Sequence, residues 1–265
     1  MYFPIAGVEI PITLLIFVGF TVGVVGGFIG VGGGYMVTPA LVVFGFPGYI
    51  AAGTDIAHIM AKSTVATVRH RQMGNVDVVL GLAMVGGTLL GVEFGIRILT
   101  FFKNLGLADV AILAGSVMLL MSIFTYVQIE TRKTHKQMQE ALRKGIELKR
   151  EAKVSRLSLF FQGLNIYPIV KLPVARVVIS MWVIIAISIL TGMLAGFFGV
   201  GGGFIRVPAL VYAVGTPTHV AVGTDLFEIV VAAGYGTVRH TLQGNVDFLA
   251  ALYMLFGAMV GAQLG

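Results

Sequence analysis

Two copies of one glycine-rich word constrain this chain more than any other feature. Gly27-Phe-Ile-Gly-Val-Gly-Gly-Gly34 leads into Tyr-Met-Val-Thr-Pro39-Ala-Leu, and Gly196-Phe-Phe-Gly-Val-Gly-Gly-Gly203 leads into Phe-Ile-Arg-Val-Pro208-Ala-Leu. Each copy closes a long uncharged apolar run. Glycines this dense weaken a plain helix by about 1 kcal/mol apiece relative to alanine. Without Cβ atoms, however, their backbone N–H groups can lie open to a small anion, ahead of the positive end of the helix that follows. The surroundings are lipid-like: 57% of residues are hydrophobic, only 11% are charged, and mean hydropathy is +0.95. A soluble domain carries about 25% charged residues, so this composition points to a bilayer. With no cysteine, disulfides, thiol chemistry and sulfur-ligated metal are excluded. No other metal-ligand spacing is present either, and no cofactor is expected.

Ile12 to Ile29 is long enough for a first membrane helix. No basic residue precedes it, which argues for a retained span rather than a cleaved signal peptide. Tyr35 to Phe46 is too short to cross: twelve helical residues reach about 18 Å against a hydrocarbon core of about 30 Å. A broken or re-entrant half-helix is expected, tolerated where it is buried or lines a cavity. Ala51 to His70 carries Asp55, His58 and Lys62 at helical spacing, one polar stripe that must face protein. Val76 to Ile98 contains Gly87-x-x-x-Gly91-x-x-x-Gly95, a close-packing face. Ala108 to Val127 is a clean span. Glu130 to Arg176 holds eleven of the eighteen Lys and Arg against four acids, the pattern of a cytoplasmic loop. Its first part, to Arg156, reads as a solvated or interfacial helix. Nucleic-acid binding is not expected; membrane lipid is the expected neighbour.

From Val177 the chain repeats itself. Aligning Gly27–Gly91 with Gly196–Gly261 leaves about thirty of roughly sixty-five pairs identical. Gly53-Thr-Asp55 returns as Gly223-Thr-Asp225, Thr67-Val-Arg-His70 as Thr237-Val-Arg-His240, and Gly74-Asn-Val-Asp77 as Gly244-Asn-Val-Asp247. The expected fold is all-α and polytopic, with a first repeat over 1–128, a basic loop over 129–176 and a second repeat over 177–265. Nothing in the second half matches Phe94–Val127, so one or two further helices are expected beyond Gly265. If each half-helix unit counts as a crossing the repeats are inverted; if it enters and leaves on one side they are parallel. Inversion is favoured because facing half-helix ends then meet at one midplane site.

The duplicated glycine run with its Pro-Ala-Leu word, the Gly-Thr-Asp word and the Gly-Asn-Val word together resemble the sulfite exporter TauE/SafE family of prokaryotic membrane proteins, from about Gly19 to Gly265. The resemblance implies movement of small sulfur-containing anions across the cytoplasmic membrane. Arg206 departs from it, standing where the first copy has Val37 and where the family is usually apolar.

The candidate substrate site comprises Gly32, Gly33 and Gly34, Gly201, Gly202 and Gly203, Arg206, and Thr54 and Thr224. Arg206 is the candidate for direct contact with the anion. Asp55 and Asp225 are candidates for proton coupling, since a carboxylate in lipid is costly unless used; their Gly-Thr-Asp setting is also that of a helix N-cap. Arg69-His70 and Arg239-His240 suit either membrane-edge anchors or an anion vestibule. The expected activity is secondary transport, not enzymatic. A channel, or an intramembrane aspartyl protease built on the two aspartates, is the alternative. Oligomeric state is not legible.

Overall fold

The computed structural model describes residues 1–29, 36–143, 156–163, 166–199 and 201–264. An N-terminal hairpin, β1 (Tyr2–Phe3) and β2 (Val8–Glu9), precedes α1 (Ile12–Ile29) and the short α2 (Val37–Val43). The long helices α3 (Gly48–Gln72), α4 (Val78–Asn104) and α5 (Ala108–Arg143) complete the first half. Then come α6 (Arg156–Gly163), a second hairpin of β3 (Ile169–Leu172) and β4 (Val177–Ser180), and α7 (Met181–Phe198). The second half closes with α8 (Gly203–Ala209), a π-helical turn over Leu210–Val214, α9 (Thr218–Leu242) and α10 (Phe248–Leu264).

Local chemistry sets these boundaries. Pro47 and Pro217 stand immediately before α3 and α9, where a missing N–H costs nothing. Both helices end on a glycine in the left-handed region, Gly74 and Gly244, with the amides of Asn75 and Asn245 returning to the carbonyls of His70 and His240. Three residues later Asp77 and Asp247 accept the amides of Leu80 and Ala250 and start the next helix. The repeated Gly-Asn-Val-Asp word is therefore a complete turn, C-cap to N-cap.

Helices α4, α7 and α9 are long and apolar enough to cross a membrane. Large apolar side chains lie exposed on them, among them Leu82, Leu90, Phe94, Leu190 and Val238, an outer surface that suits lipid better than water. The glycines of the four-residue repeats face inward. A Cβ at Gly91 or Gly95 would overlap the backbone of Ile189 or Met193 on α7, and one at Gly257 or Gly261 would overlap Ile16 or Phe20 on α1. Helix α4 thus lies along α7, and α10 along α1, each pair parallel and at backbone contact.

Between the pairs, α3 and α9 cross antiparallel. Gly53, near the start of α3, rests on the Asn245 carbonyl beyond the end of α9, and Gly223 rests reciprocally on the carbonyl of Asn75. Thr54 Oγ1 accepts the Asp247 amide at 3.0 Å and Thr224 Oγ1 the Asp77 amide at 2.9 Å. Each Gly-Thr-Asp word mates with the Gly-Asn-Val-Asp word of the opposite half.

Two sequence expectations change and a third is refined in length. Asp55 and Asp225 are not N-caps: they lie about two turns inside α3 and α9, which begin at Gly48 and Thr218. The expected half-helix is present as α2, seven residues long and ended near Gly45 at φ 94°. The first part of the basic segment is no separate helix, since α5 continues through position 129 to Arg143; residues 144–155 lie outside the described residues. One feature went unread. Phe3-Pro-x-Ala6-x-Val8-x-Ile10 and Leu172-Pro-x-Ala175-x-Val177-x-Ile179 form matching hairpins, with Gly7 and Arg176 both at positive φ (70° and 56°).

Candidate functional site

The second glycine loop enters the middle of the molecule. Gly199, at φ 72°, lies on the Ala52 carbonyl of α3, and Gly201 lies against Ile59 of α3 and Ile229 of α9. Gly201, Gly202 and Gly203 are all buried. Gly202, at φ 75°, sits between the Thr191 carbonyl of α7 and the Arg206 guanidinium, a position where any side chain is both strained and crowded. The corresponding residues of the first loop, Gly32, Gly33 and Gly34, lie outside the described residues.

Arg206 is fully buried on α8. Its Nε donates to Thr191 Oγ1 at 3.0 Å, and its Nη1 donates to Asp225 Oδ1 at 3.1 Å and to Glu228 Oε2. Nη2, facing Gly202, has no hydrogen-bond partner among the described residues, nor has Glu228 Oε1. One guanidinium thus faces two carboxylates, a cluster of formal charge −1 when both are ionised. A buried cation cannot remain without such partners.

The first half carries a differently charged cluster in the corresponding place. Asp55 Oδ2 accepts from Thr38 Oγ1 at 2.9 Å, and Asp55 Oδ1 lies 3.5 Å from His58 Nδ1. Lys62 interacts electrostatically with Asp55. Asp55 and His58 are buried, confirming that this stripe faces protein. Aligned pairwise, Asp55 matches Asp225, His58 matches Glu228, and Lys62 matches Ala232. Ile56, Ile59, Ile229 and Ala233 fill the space between α3 and α9. Asp55 is held by Thr38 of the first half and Asp225 by Arg206 of the second.

The remaining candidates separate. Thr54 and Thr224 accept the cross-half amides described above, so their oxygens serve the interlock of the two halves. Arg69 and His70, with Lys62, line an open cleft of about 460 Å³ between α1, α3 and α10. Arg239 instead makes a two-pronged bond to Glu93 of α4, Nε to Oε2 at 2.9 Å and Nη2 to Oε1 at 3.0 Å. Tyr235 Oη also donates to Glu93 Oε2, at 2.9 Å. Glu93, Glu228 and Tyr235 were not foreseen. The signal that could have found them is the list of aligned positions at which the two copies differ in charge or polarity.

The chain matches the model of the sulfite exporter TauE/SafE family over residues 15–265. It belongs to that family. Among its relatives are two proteins of Bacillus subtilis named as probable membrane transporter proteins. YunE is 27% identical over 95% of this chain and 86% of the relative, and YdhB is 27% identical over 95% and 88%. A third, MJ0441 of Methanocaldococcus jannaschii, carries the same description and is 24% identical over 95% of this chain and 84% of its own length. No solved structure matches. This TauE/SafE member is a helical membrane protein of a transporter family, and Arg206, Asp225 and Glu228 lie at its centre.

Proposed function

We propose that this chain is a secondary transporter of small sulfur-containing anions, sulfite or a sulfonate, across the cell membrane. The observation that carries the reading is the buried Arg206 with its unpartnered Nη2 against the Gly202 backbone. An oxyanion there accepts from a guanidinium nitrogen and from peptide amides of the Gly201–Gly203 loop at mid-height between α3 and α9. Charged hydrogen bonds of this kind are the strong ones. The antiparallel crossing of α3 and α9 supports an inverted relation between the halves, so that rocking one against the other exposes the site to each side in turn.

Charge balance supports coupling to protons. An anion added to Arg206, Asp225 and Glu228 raises the local charge toward −2 in a low-dielectric interior unless a carboxylate takes up a proton. Anion and proton then move together, with Asp225 or Glu228 as carrier; Asp55 beside His58 and Lys62 offers the equivalent in the first half.

The test is flux of ³⁵S-sulfite in vesicles containing the full chain. Arg206→Gln is expected to abolish flux, a loss of more than about 100-fold for removal of a buried charged donor. Glu228→Gln is expected to keep sulfite exchange at equal concentrations but lose accumulation driven by a pH gradient. Parental flux in correctly inserted Arg206→Gln protein would overturn the site. Retained pH-driven accumulation in both Glu228→Gln and Asp225→Asn would overturn the coupling.

A further inference from the structure

The two halves also differ at the ends of α3 and α9. At the end of α9, the Glu93 carboxylate occupies a basic nest. It accepts from Arg239 through two nitrogens, from Tyr235, and from Arg97 Nε at 3.0 Å. The aligned residues at the end of α3 keep the cation and lose the carboxylate. Arg69 stands for Arg239, Val65 for Tyr235 and Gln263 for Glu93, while Lys62 replaces Ala232 and adds a positive charge. Lys62, Val65 and Arg69 of α3 and Gln263 of α10, with His70, line the same open cleft of about 460 Å³. No ion pair to Arg69 is found among the described residues, and His70 Nδ1 is buried without a partner. The wall opposite α3 carries small residues: Gly26 of α1 and Ala262 of α10 line the cleft, and Gly23 packs on the Ala258 backbone beside them.

We propose that this cleft is a second anion site, binding a free small oxyanion where the other half holds its own Glu93 carboxylate. The planar fork of an arginine matches a carboxylate or a sulfur oxyanion alike. Helices α3 and α5 both end on the side toward which the basic segment after Glu130 runs, because short turns join α3 to α4 and α4 to α5. The cleft therefore opens on that side, which the excess of Lys and Arg makes cytoplasmic. The site is separate from the Arg206 cluster and does not depend on it.

The protein has no cysteine, so Met73→Cys on the rim of the cleft supplies a single reporter thiol. Its rate of maleimide labelling is followed in lipid-free detergent as sulfate replaces chloride at constant ionic strength; sulfate is chosen because sulfite itself attacks maleimide. Sulfate is expected to slow labelling several-fold, and the protection is expected to vanish in Arg69→Gln. It is also expected to vanish in Gln263→Glu, which returns a carboxylate to the nest at an exposed position and leaves the fold intact. No protection by sulfate, or equal protection in both variants, would overturn the proposal. So would protection by added phosphatidylglycerol alone, which would make the cleft a lipid headgroup site. Because binding rather than flux is read, failure here leaves the Arg206 site standing, and failure of sulfite flux leaves the cleft standing.

Discussion

At the scale of single residues, Thr54 and Thr224 show how one position can invite two readings. In sequence each precedes a membrane aspartate and looks available to a substrate. In the fold each oxygen receives the amide of the aspartate that precedes a helix in the opposite half, at 3.0 and 2.9 Å. Thr54→Val or Thr224→Val strands a buried N–H, which costs about 1–3 kcal/mol. Each is therefore expected to lower the thermal unfolding midpoint in detergent while leaving the sulfite concentration for half-maximal flux unchanged; a raised half-saturation value with parental stability would return them to the substrate site. Arg206 was legible as the odd residue of its copy, but its carboxylate partners were not. Asp225 and Glu228 come from α9, a different element, and no local spacing announces that a cation on α8 will face them. Glu228 can be found only by noticing that its aligned counterpart is His58.

At the scale of elements, the glycine faces were legible because their four-residue spacing is local, whereas their partners were not. Periodicity says that α4 has a flat side; it does not say that the side fits α7 from the other half rather than a neighbour in its own. The half-helix could be read from length alone, since seven to twelve residues cannot cross lipid. The hairpins before α1 and α7 escaped because their strands are two to four residues long and match through Pro, Ala, Val and Ile, ordinary residues in such a chain. Two glycines of α4 give a direct check on the packing. Gly86 has open space where a Cβ would go, whereas Gly91 lies on the Ile189 carbonyl and the Met193 amide. Gly86→Ala is expected to be neutral or to stabilise by up to about 1 kcal/mol through helix propensity. Gly91→Ala is expected to destabilise by about 1–3 kcal/mol, the usual cost of overpacking. Thermal unfolding of the two variants side by side reads the difference; equal behaviour would mean that α4 and α7 do not meet at backbone distance.

At the scale of the whole molecule, the crossing of α3 and α9 determines what the duplication means. Two copies related by translation would place equivalent helices parallel. Here equivalent helices touch head to tail, Gly53 at Asn245 and Gly223 at Asn75, reciprocal contacts of the kind an inverted pair would make. In an inverted arrangement the charge differences between the copies would fall on opposite faces of the membrane: an occupied nest at Glu93 and Arg239, an open one at Arg69 and Gln263. The topology can be tested without a structure. Gln72 and Leu242 are the last residues of α3 and α9, both exposed, in a chain without native thiols. Gln72→Cys and Leu242→Cys are each treated in intact cells with a membrane-impermeant maleimide, before and after permeabilisation. The expected result is that Leu242→Cys labels in intact cells and Gln72→Cys only after permeabilisation, since Gln72 shares its side with the basic segment. Labelling of both from the same side would make the halves parallel, and alternating exposure of one central site by rocking of inverted halves would fall with it.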